Sequence, residues 1–353
     1  MFQNSHRLRL RIGRACVLLL GLLAACSSSS TSSSTTVSRS TTSGGVASPA
    51  SSSSEPASLS QVLSAVAAAS SVTSVPADLT PSLQSAANDF GLPAAAGRGC
   101  QPGPNGTSVN VQSCTFGNPS GKHTMVIVGD SHAGMWLPAF DLVGKQSDWR
   151  VISLNKVNCG AASVSYYLHT ESRPYSECDT WHSWVFSEIG LLDPSIVVLT
   201  SFVAPSVSVP PLSPSQWTTG LETSLNRITS PGTKKVVLGD MPYLIAGGNN
   251  SGFSTVAPAN CVAAHESNVQ ACSVPATQAV LTTFHNAEIQ ASLTSDAQYV
   301  DVIPWLCSSV CSPIVKNMFV YENTEHITTT YAKYLSGVLQ ASLQADIDAA
   351  SAK

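Results

Sequence analysis

Beyond about residue 120 the chain alternates short, unbroken apolar runs with longer amphipathic stretches. The runs are Met125–Val128, Val151–Leu154, Ile196–Leu199, Val236–Leu238 and Tyr299–Ile303. Helix-like stretches follow them near Met135–Gln146, Cys178–Leu191, Ser215–Ile228, Thr277–Ser292 and Thr328–Ile347. A run of a few apolar residues without polar alternation suits a strand covered on both faces, and amphipathic helices between such strands supply the covers. The pattern predicts a three-layer α/β domain over residues 119–353, with a parallel sheet of about five strands and helices on both faces. A long insertion interrupts it between Pro242 and Pro275. In sheets of this kind ligands gather at the carboxyl ends of the strands.

Residues 57–118 read as a leading segment. Leu59, Val62, Leu63 and Val66, then Leu83, Ala86, Ala87 and Phe90, have helical spacing that is broken at Pro76 and Pro81. Two short helices are expected, followed by a Gly/Pro-rich loop between Cys100 and Cys114. Residues 27–56 are almost wholly Ser, Thr, Gly, Ala, Val and Pro. Such a segment buries too little apolar area to offset its ordering entropy, so a disordered stalk is expected.

Residues 1–26 carry Arg7, Arg9, Arg11 and Arg14, then the apolar stretch Ala15–Ala25. A basic start, a short apolar centre and small residues before a cleavage point make a secretory signal. The run Leu23-Ala24-Ala25-Cys26 resembles a bacterial lipobox, which implies lipidation of Cys26 and anchoring to the outer face of the cell membrane. Acyl chains on one terminal residue tether a chain to a bilayer without threading it through.

Charge and cysteine usage agree with export. Loss of the four signal arginines takes the formal net charge from −4 to −8, and an acidic chain without a basic run argues against nucleic acid as a partner. Of the ten cysteines, Cys16 and Cys26 fall in the signal region. The others form four local pairs: Cys100/Cys114, Cys159/Cys178, Cys261/Cys272 and Cys307/Cys311. Eight cysteines allow about 105 connectivities, and local disulfides are the expected solution in an exported chain. Cys-x-x-Cys pairs and clustered histidines are missing, so no metal centre is expected.

The chemistry concentrates at Gly129-Asp130-Ser131-His132, between the first apolar run and the first predicted helix of the sheet domain. A serine on a strand-to-helix turn is held out of the sheet beside the helix N-terminal amides, a place for a nucleophile. The competing reading is a helix cap, since Asp and Ser are favoured there. A serine hydroxyl needs a base, and histidine suits that work near neutrality. His6 leaves with the signal, while His123, His169, His182, His265 and His285 stand apart from motif residues. His132 directly follows Ser131, so the backbone keeps their side chains apart and His132 reads as a pocket residue. His326 lies in the loop between the last apolar run and the terminal helix, which returns to the carboxyl edge of the sheet. It is the candidate base.

The run Val126-Ile127-Val128-Gly129-Asp130-Ser131-His132-Ala133 resembles the first block of SGNH hydrolases, in particular the extracellular SGNH domain fused to bacterial membrane O-acyltransferases. The likeness continues through Trp136-Leu137-Pro138, Asn158-Cys159, Cys178-Asp179-Thr180-Trp181 and Asp193–Leu199, then Cys307, Cys311, Val320-Tyr321 and His326-Ile327-Thr328. The four cysteine pairs also fall where that family places disulfides. The resemblance implies a flavodoxin-like fold, Ser131 as nucleophile, His326 as base and the Ser131 amide in the oxyanion hole. Asp130, His132, Asn158, Gly160 and Ser201 are the further oxyanion or pocket candidates, with Asn155 and Thr200 as alternatives. Two departures stand out. The third block, Leu199-Thr200-Ser201-Phe202, lacks the family's Asn, and Asn323 occupies the usual Asp position three residues before the histidine. An amide orients an imidazole but adds no negative charge; Glu322 is a candidate replacement.

The expectation is a stand-alone envelope lipoprotein that acts as an O-acetylesterase or O-acyltransferase on a polysaccharide or glycolipid, without a cofactor. A membrane acyltransferase is a candidate partner. The alternative is a catalytically silent, glycan-binding protein of the same fold.

Overall fold

The computed structural model describes residues 56–91, 95, 97–244 and 257–352. The expected signal peptide, the lipidation residue Cys26, the stalk up to Glu55 and residues 245–256 of the insertion lie outside the described residues.

A six-stranded sheet organises the chain. Its strands are β1 (Thr115–Gly117), β2 (His123–Gly129), β3 (Trp149–Asn155), β4 (Ile196–Thr200), β5 (Lys234–Leu238) and β6 (Gln298–Val300), in the spatial order β1-β3-β2-β4-β5-β6. The last five are parallel, and β1 adds an antiparallel edge along β3. Counting only the parallel strands, the order is 2-1-3-4-5, the flavodoxin-like arrangement, with the topological switch at the carboxyl end of β2. That end carries Gly129-Asp130-Ser131. The edge strand β1 has only three residues, and its Thr-Phe-Gly sequence carries no recognisable run.

Helices α1 (Leu59–Ala69), α2 (Ser131–Ser147), α3 (Ser176–Leu192), α4 (Pro214–Asn226), α5 (Thr282–Thr294) and α6 (Ser336–Ser351) cover the sheet. Successive strand residues point to opposite faces. Met125, Ile127 and Val151 therefore enter one core with Phe140 of α2 and Leu339 of α6. Val126, Val128, Ile152 and Leu154 enter the other with Trp181 of α3 and Trp217 of α4. Val62 and Val66 of α1 belong to the first core, so the leading segment packs directly on the sheet domain.

The second leading helix is a single turn, Leu83–Ala86. The fifth apolar run is strand only to Val300: the Asp301 carboxylate accepts the Ile303 N–H at 3.0 Å, and Ile303–Trp305 closes into a 3₁₀ turn containing Pro304. Among the described residues, no helix is long and apolar enough to cross a membrane.

All four local cysteine pairs are disulfides, Cys100–Cys114, Cys159–Cys178, Cys261–Cys272 and Cys307–Cys311. Their places in the fold differ. The first and last lie in one sheet core, and Cys159–Cys178 lies in the other. Cys272 does not join either core. It ends the 3₁₀ turn Val269–Cys272 and is buried in a third, smaller core with Ala86, Val262, Val269, Ile314 and Phe319, against which Cys261 packs half-buried. The insertion is therefore more than an interruption of the sheet domain, because it closes onto the leading segment. Val269 N–H donates to the Thr73 carbonyl at 2.9 Å, and the Gln270 side chain donates to the carbonyls of Ala69 and Val72 at 2.9 and 2.8 Å. Cys272 is a staple of that contact, and it belongs to the scaffold rather than to the serine turn.

Candidate active site

The turn after β2 is built by close approach. A Cβ at Gly129 would drive into the carbonyl oxygen of Thr200, so the central strands admit only glycine there. Gly129 sits opposite Asn155 on one side and Thr200 on the other. Asp130 then caps α2. Its buried carboxylate accepts the His132 N–H at 2.9 Å and the Phe202 N–H at 2.9 and 3.1 Å, stapling the helix start to the loop after β4. Burial pushes its pKa up, against the opposing effects of His132 and these N–H donors. Asp130 is thus both the expected cap and the scaffold of the serine turn.

Ser131 opens the helix and is partly exposed. Its Oγ lies 2.9 Å from Nε2 of His326, a residue 195 positions further on. The loop from Tyr321 to Ile327 is pinched by a bridge between those two residues, and His326 is 9 % exposed against the edge of Phe90, with ring centroids 4.7 Å apart. Burial pushes the His326 pKa well below its ordinary value, and the charge of His132 pushes it further.

Asn323 holds the far side of the imidazole. Its Oδ1 accepts the backbone N–H groups of Glu325 and His326, each at 2.8 Å. Its Nδ2 stands 2.9 Å, and Oδ1 3.1 Å, from His326 Nδ1. The amide therefore meets either neutral tautomer. When Oδ1 accepts from Nδ1–H, Nε2 is a free base facing Ser131; when Nδ2 donates to Nδ1, the proton sits on Nε2 and the base is blocked. Glu322 approaches Nδ1 only to 4.0 Å. Burial lifts both Glu322 and Glu325 to about 7, Glu322 with help from Glu325.

The remaining candidates separate. The Gly160 carbonyl accepts from His182 Nε2 at 2.7 Å, and a side chain at Gly160 would strike Tyr166 and Ser201. Ser201 Oγ accepts the Ala161 N–H at 2.7 Å, so it ties the loops after β3 and β4 together. Asn158 is exposed in a turn at φ 61°. Asn155 is fully buried, and neither amide atom has a hydrogen-bond partner among the described residues.

His132 is fully buried behind this pair, 5.0 Å from the His326 ring. Its Nδ1 contacts Asp240 Oδ1 at 2.5 Å. Asp240 in turn accepts the Val203 N–H at 2.7 Å and the Tyr243 hydroxyl. Sequence reasoning passed over Asp240. A signal existed: Leu238-Gly239-Asp240 repeats the strand-Gly-Asp pattern of Val128-Gly129-Asp130 at another carboxyl edge.

Residues 98–341 match the family described as the SGNH domain (fused to AT3 domains). No curated protein matches the chain in sequence. Among solved structures, the periplasmic domain of the lipopolysaccharide acetyltransferase of Salmonella ser. Paratyphi A is similar, at 18 % identity and a TM-score of 0.51, over 72 % of this chain and 94 % of that one. The lipase/acylhydrolase of Enterococcus faecalis aligns at 12 % identity and a TM-score of 0.39, over 63 % and 96 %. The flavodoxin-like strand order, the serine turn at its switch point and the matched span agree: this chain belongs to the SGNH family of domains of the kind fused to AT3 acyltransferases.

Proposed function

We propose that the protein is an acyl-ester enzyme of the bacterial cell envelope in which Ser131 is the nucleophile and His326 the general base. The observation that carries this reading is the 2.9 Å contact between Ser131 Oγ and His326 Nε2 at the switch point of the sheet. Ser131 Oγ attacks the ester carbonyl carbon as its proton passes to Nε2. The tetrahedral oxyanion faces the Ser131 amide in the first turn of α2, where N–H groups have no intrahelical acceptor. His326 then returns the proton to the leaving alcohol, and water or a glycan hydroxyl releases the acyl group from Ser131.

The likeness to a lipopolysaccharide acetyltransferase domain supports an O-acetylated polysaccharide or glycolipid as substrate. The Leu23–Cys26 run supports an exported, lipid-anchored protein, and the family's fusion to AT3 domains supports a membrane acyltransferase as partner. A silent glycan-binding role is the second reading, favoured by the 2.9 Å approach of Asn323 Nδ2 to His326 Nδ1, which blocks the base in one tautomer.

The test compares the purified chain with Ser131→Ala and His326→Ala for release of a chromogenic acetyl ester and for labelling by a serine-directed phosphonate. Hydrolysis and labelling that vanish in both variants are expected. Equal rates in all three proteins, with no labelling of the wild type, would sink the enzyme reading.

A further inference from the structure

One buried titratable pair takes no part in that reaction. His132 Nδ1 and Asp240 Oδ1 are 2.5 Å apart, the histidine is fully buried and the carboxylate side chain is 8 % exposed. Asp240 is fixed from three further directions, by the N–H groups of Val203 and Met241 and by the Tyr243 hydroxyl. The other ring nitrogen of His132 is buried with no hydrogen-bond partner among the described residues. This is costly if its only purpose is packing, because an unpaired buried polar group loses its hydration without compensation.

The placement gives the pair a target. The His132 ring stands 5.0 Å from the His326 ring, edge to face, while Asp240 meets the first ring and Ser131 the second. At that distance, with both rings buried, a positive charge acts strongly on a neighbouring imidazole.

We propose that His132 and Asp240 form a positioning dyad that holds a positive charge against His326, and so keeps the base of the proposed reaction unprotonated when the surroundings turn acidic. The dyad rests on the reading of Ser131 and His326 as nucleophile and base. Burial alone pulls the His132 pKa down, but Asp240, helped by Asp130 and Glu325, raises it to about 9. The imidazolium therefore persists across the range in which His326 works.

The other groups around the two rings can be named. Asp130 lies at the start of α2, Tyr243 on the loop after β5, and Glu322 and Glu325 on the His326 loop. Glu288 of α5 reaches the Asp240 amide at 3.2 Å, and the apolar rings of Phe90 and Phe202 flank the pair. Glu322 and Glu325, lifted to about 7, are largely protonated at acidic pH and so do not cancel the His132 charge there.

The test follows His326 by NMR in the full chain carrying ¹³C-labelled histidine, its signal assigned by loss in His326→Gln. Asp240→Asn removes the anion that keeps His132 charged, and the double variant His132→Gln/Asp240→Asn removes both charges, leaving no unpaired ion to unfold the protein. In each, the His326 titration should move up by about half to one pH unit, because the Asp240 anion of the intact pair already offsets part of the His132 charge, and the acid limb of kcat/KM for the acetyl ester should move with it. A merely structural role would lower kcat and leave the limb in place. A His326 titration within about 0.3 units of wild type in both variants overturns the dyad. Because NMR reads the histidine without turnover, a shifted His326 in a chain whose Ser131 takes no phosphonate would count against the enzyme reading and leave the coupling standing.

Discussion

Replacing Asn323 by aspartate is the most direct probe of the site. The side chain lies 2.9 to 3.1 Å from His326 Nδ1, so the substitution would place a carboxylate oxygen at hydrogen-bond distance without moving the backbone. The backbone N–H groups of Glu325 and His326 already point at this position, and they would hold the new carboxylate ionised. Two effects follow. The carboxylate accepts only from Nδ1–H, which leaves Nε2 as the free base, and it stabilises the imidazolium that forms as Ser131 attacks. A unit charge pair about 4 Å apart at an effective dielectric constant near 20 is worth about 4 kcal/mol, which sets a ceiling of roughly 10³ in rate. The opposite change in a serine-protease triad costs about 10⁴. The buried, acidic surroundings of Glu322 and Glu325 reduce the gain, and an increase of about 10² in kcat/KM near pH 7 is expected. The assay is hydrolysis of a chromogenic acetyl ester from about pH 5 to 9, with circular dichroism as the control for folding. The acid limb should also shift upward, because a carboxylate beside the ring raises its pKa. A well-folded Asn323→Asp protein that is no faster at any pH would refute the reasoning and show that the amide is tuned to this site.

Other perturbations test separate parts of the structure. Glu322 is protonated below about 7 and ionised above it, 4.0 Å from His326 Nδ1. Its help to the imidazolium is therefore present above pH 7 and lost as pH falls, and Glu322→Gln should flatten the rise of kcat/KM across neutrality. Gly129→Ala should lower stability by about 2 to 3 kcal/mol in urea titration, because the methyl group forces β2 away from β4. Removing the Cys159–Cys178 disulfide, whose cysteines are 19 residues apart, should cost about 3 kcal/mol. It should also depress kcat more than KM, since the bridge and His182 together fix the Gly160 turn; equal losses in both parameters would argue against that role. The folded-state pKa of His132, about 9, exceeds its unfolded value of about 6.5. Its contribution to stability is therefore complete below about pH 6.5 and lost as pH rises through 9, a decline in Tm that Asp240→Asn should abolish.

Much of the fold was legible because buried parallel strands announce themselves as continuous apolar runs. Met125–Val128 and Ile196–Leu199 pair as central strands, and both lie wholly within the observed limits. The edge strand Thr115–Gly117 escaped because an edge has one neighbour and needs no such run. The Cys261–Cys272 bridge was legible as a local pair, but the small core that encloses Cys272 was not, since it is assembled from the leading segment, the insertion and the residues around Ile314. In the site, Ser131 and His326 were legible through strand-turn-helix grammar and the family blocks, and the structure brings them together across the sheet edge. Asn158 sits in the turn after β3. Its residue type suits the left-handed φ of the turn, and the same turn leaves its side chain exposed. Asp240 was marked in the sequence only by the Gly239-Asp240 echo of Gly129-Asp130, and its contact with His132, 108 residues away, was not legible there, since only the parallel register of β2, β4 and β5 brings the two within reach.

That register also bears on the missing third-block Asn. The loop after β4 is where the family supplies a further oxyanion donor, and here its two consecutive amides are already engaged. Phe202 N–H donates to Asp130, and Val203 N–H donates to Asp240. The Ser201 hydroxyl is held by the Ala161 amide. These groups serve as staples between the carboxyl ends of neighbouring strands, so neither the Phe202 nor the Val203 amide is left to turn toward a tetrahedral oxyanion. In the proposed reaction this leaves as candidate donors the Ser131 amide, the unpartnered Asn155 amide and the Gly160 turn, which His182, Ser201 and the Cys159–Cys178 bridge hold from three sides. An oxyanion donor contributes on the order of 3 kcal/mol to such a transition state. In the proposed reaction a site with fewer loop amides to draw on depends more heavily on the strength of its base, so the side chain at position 323 and the charge on His132 are expected to govern its rate.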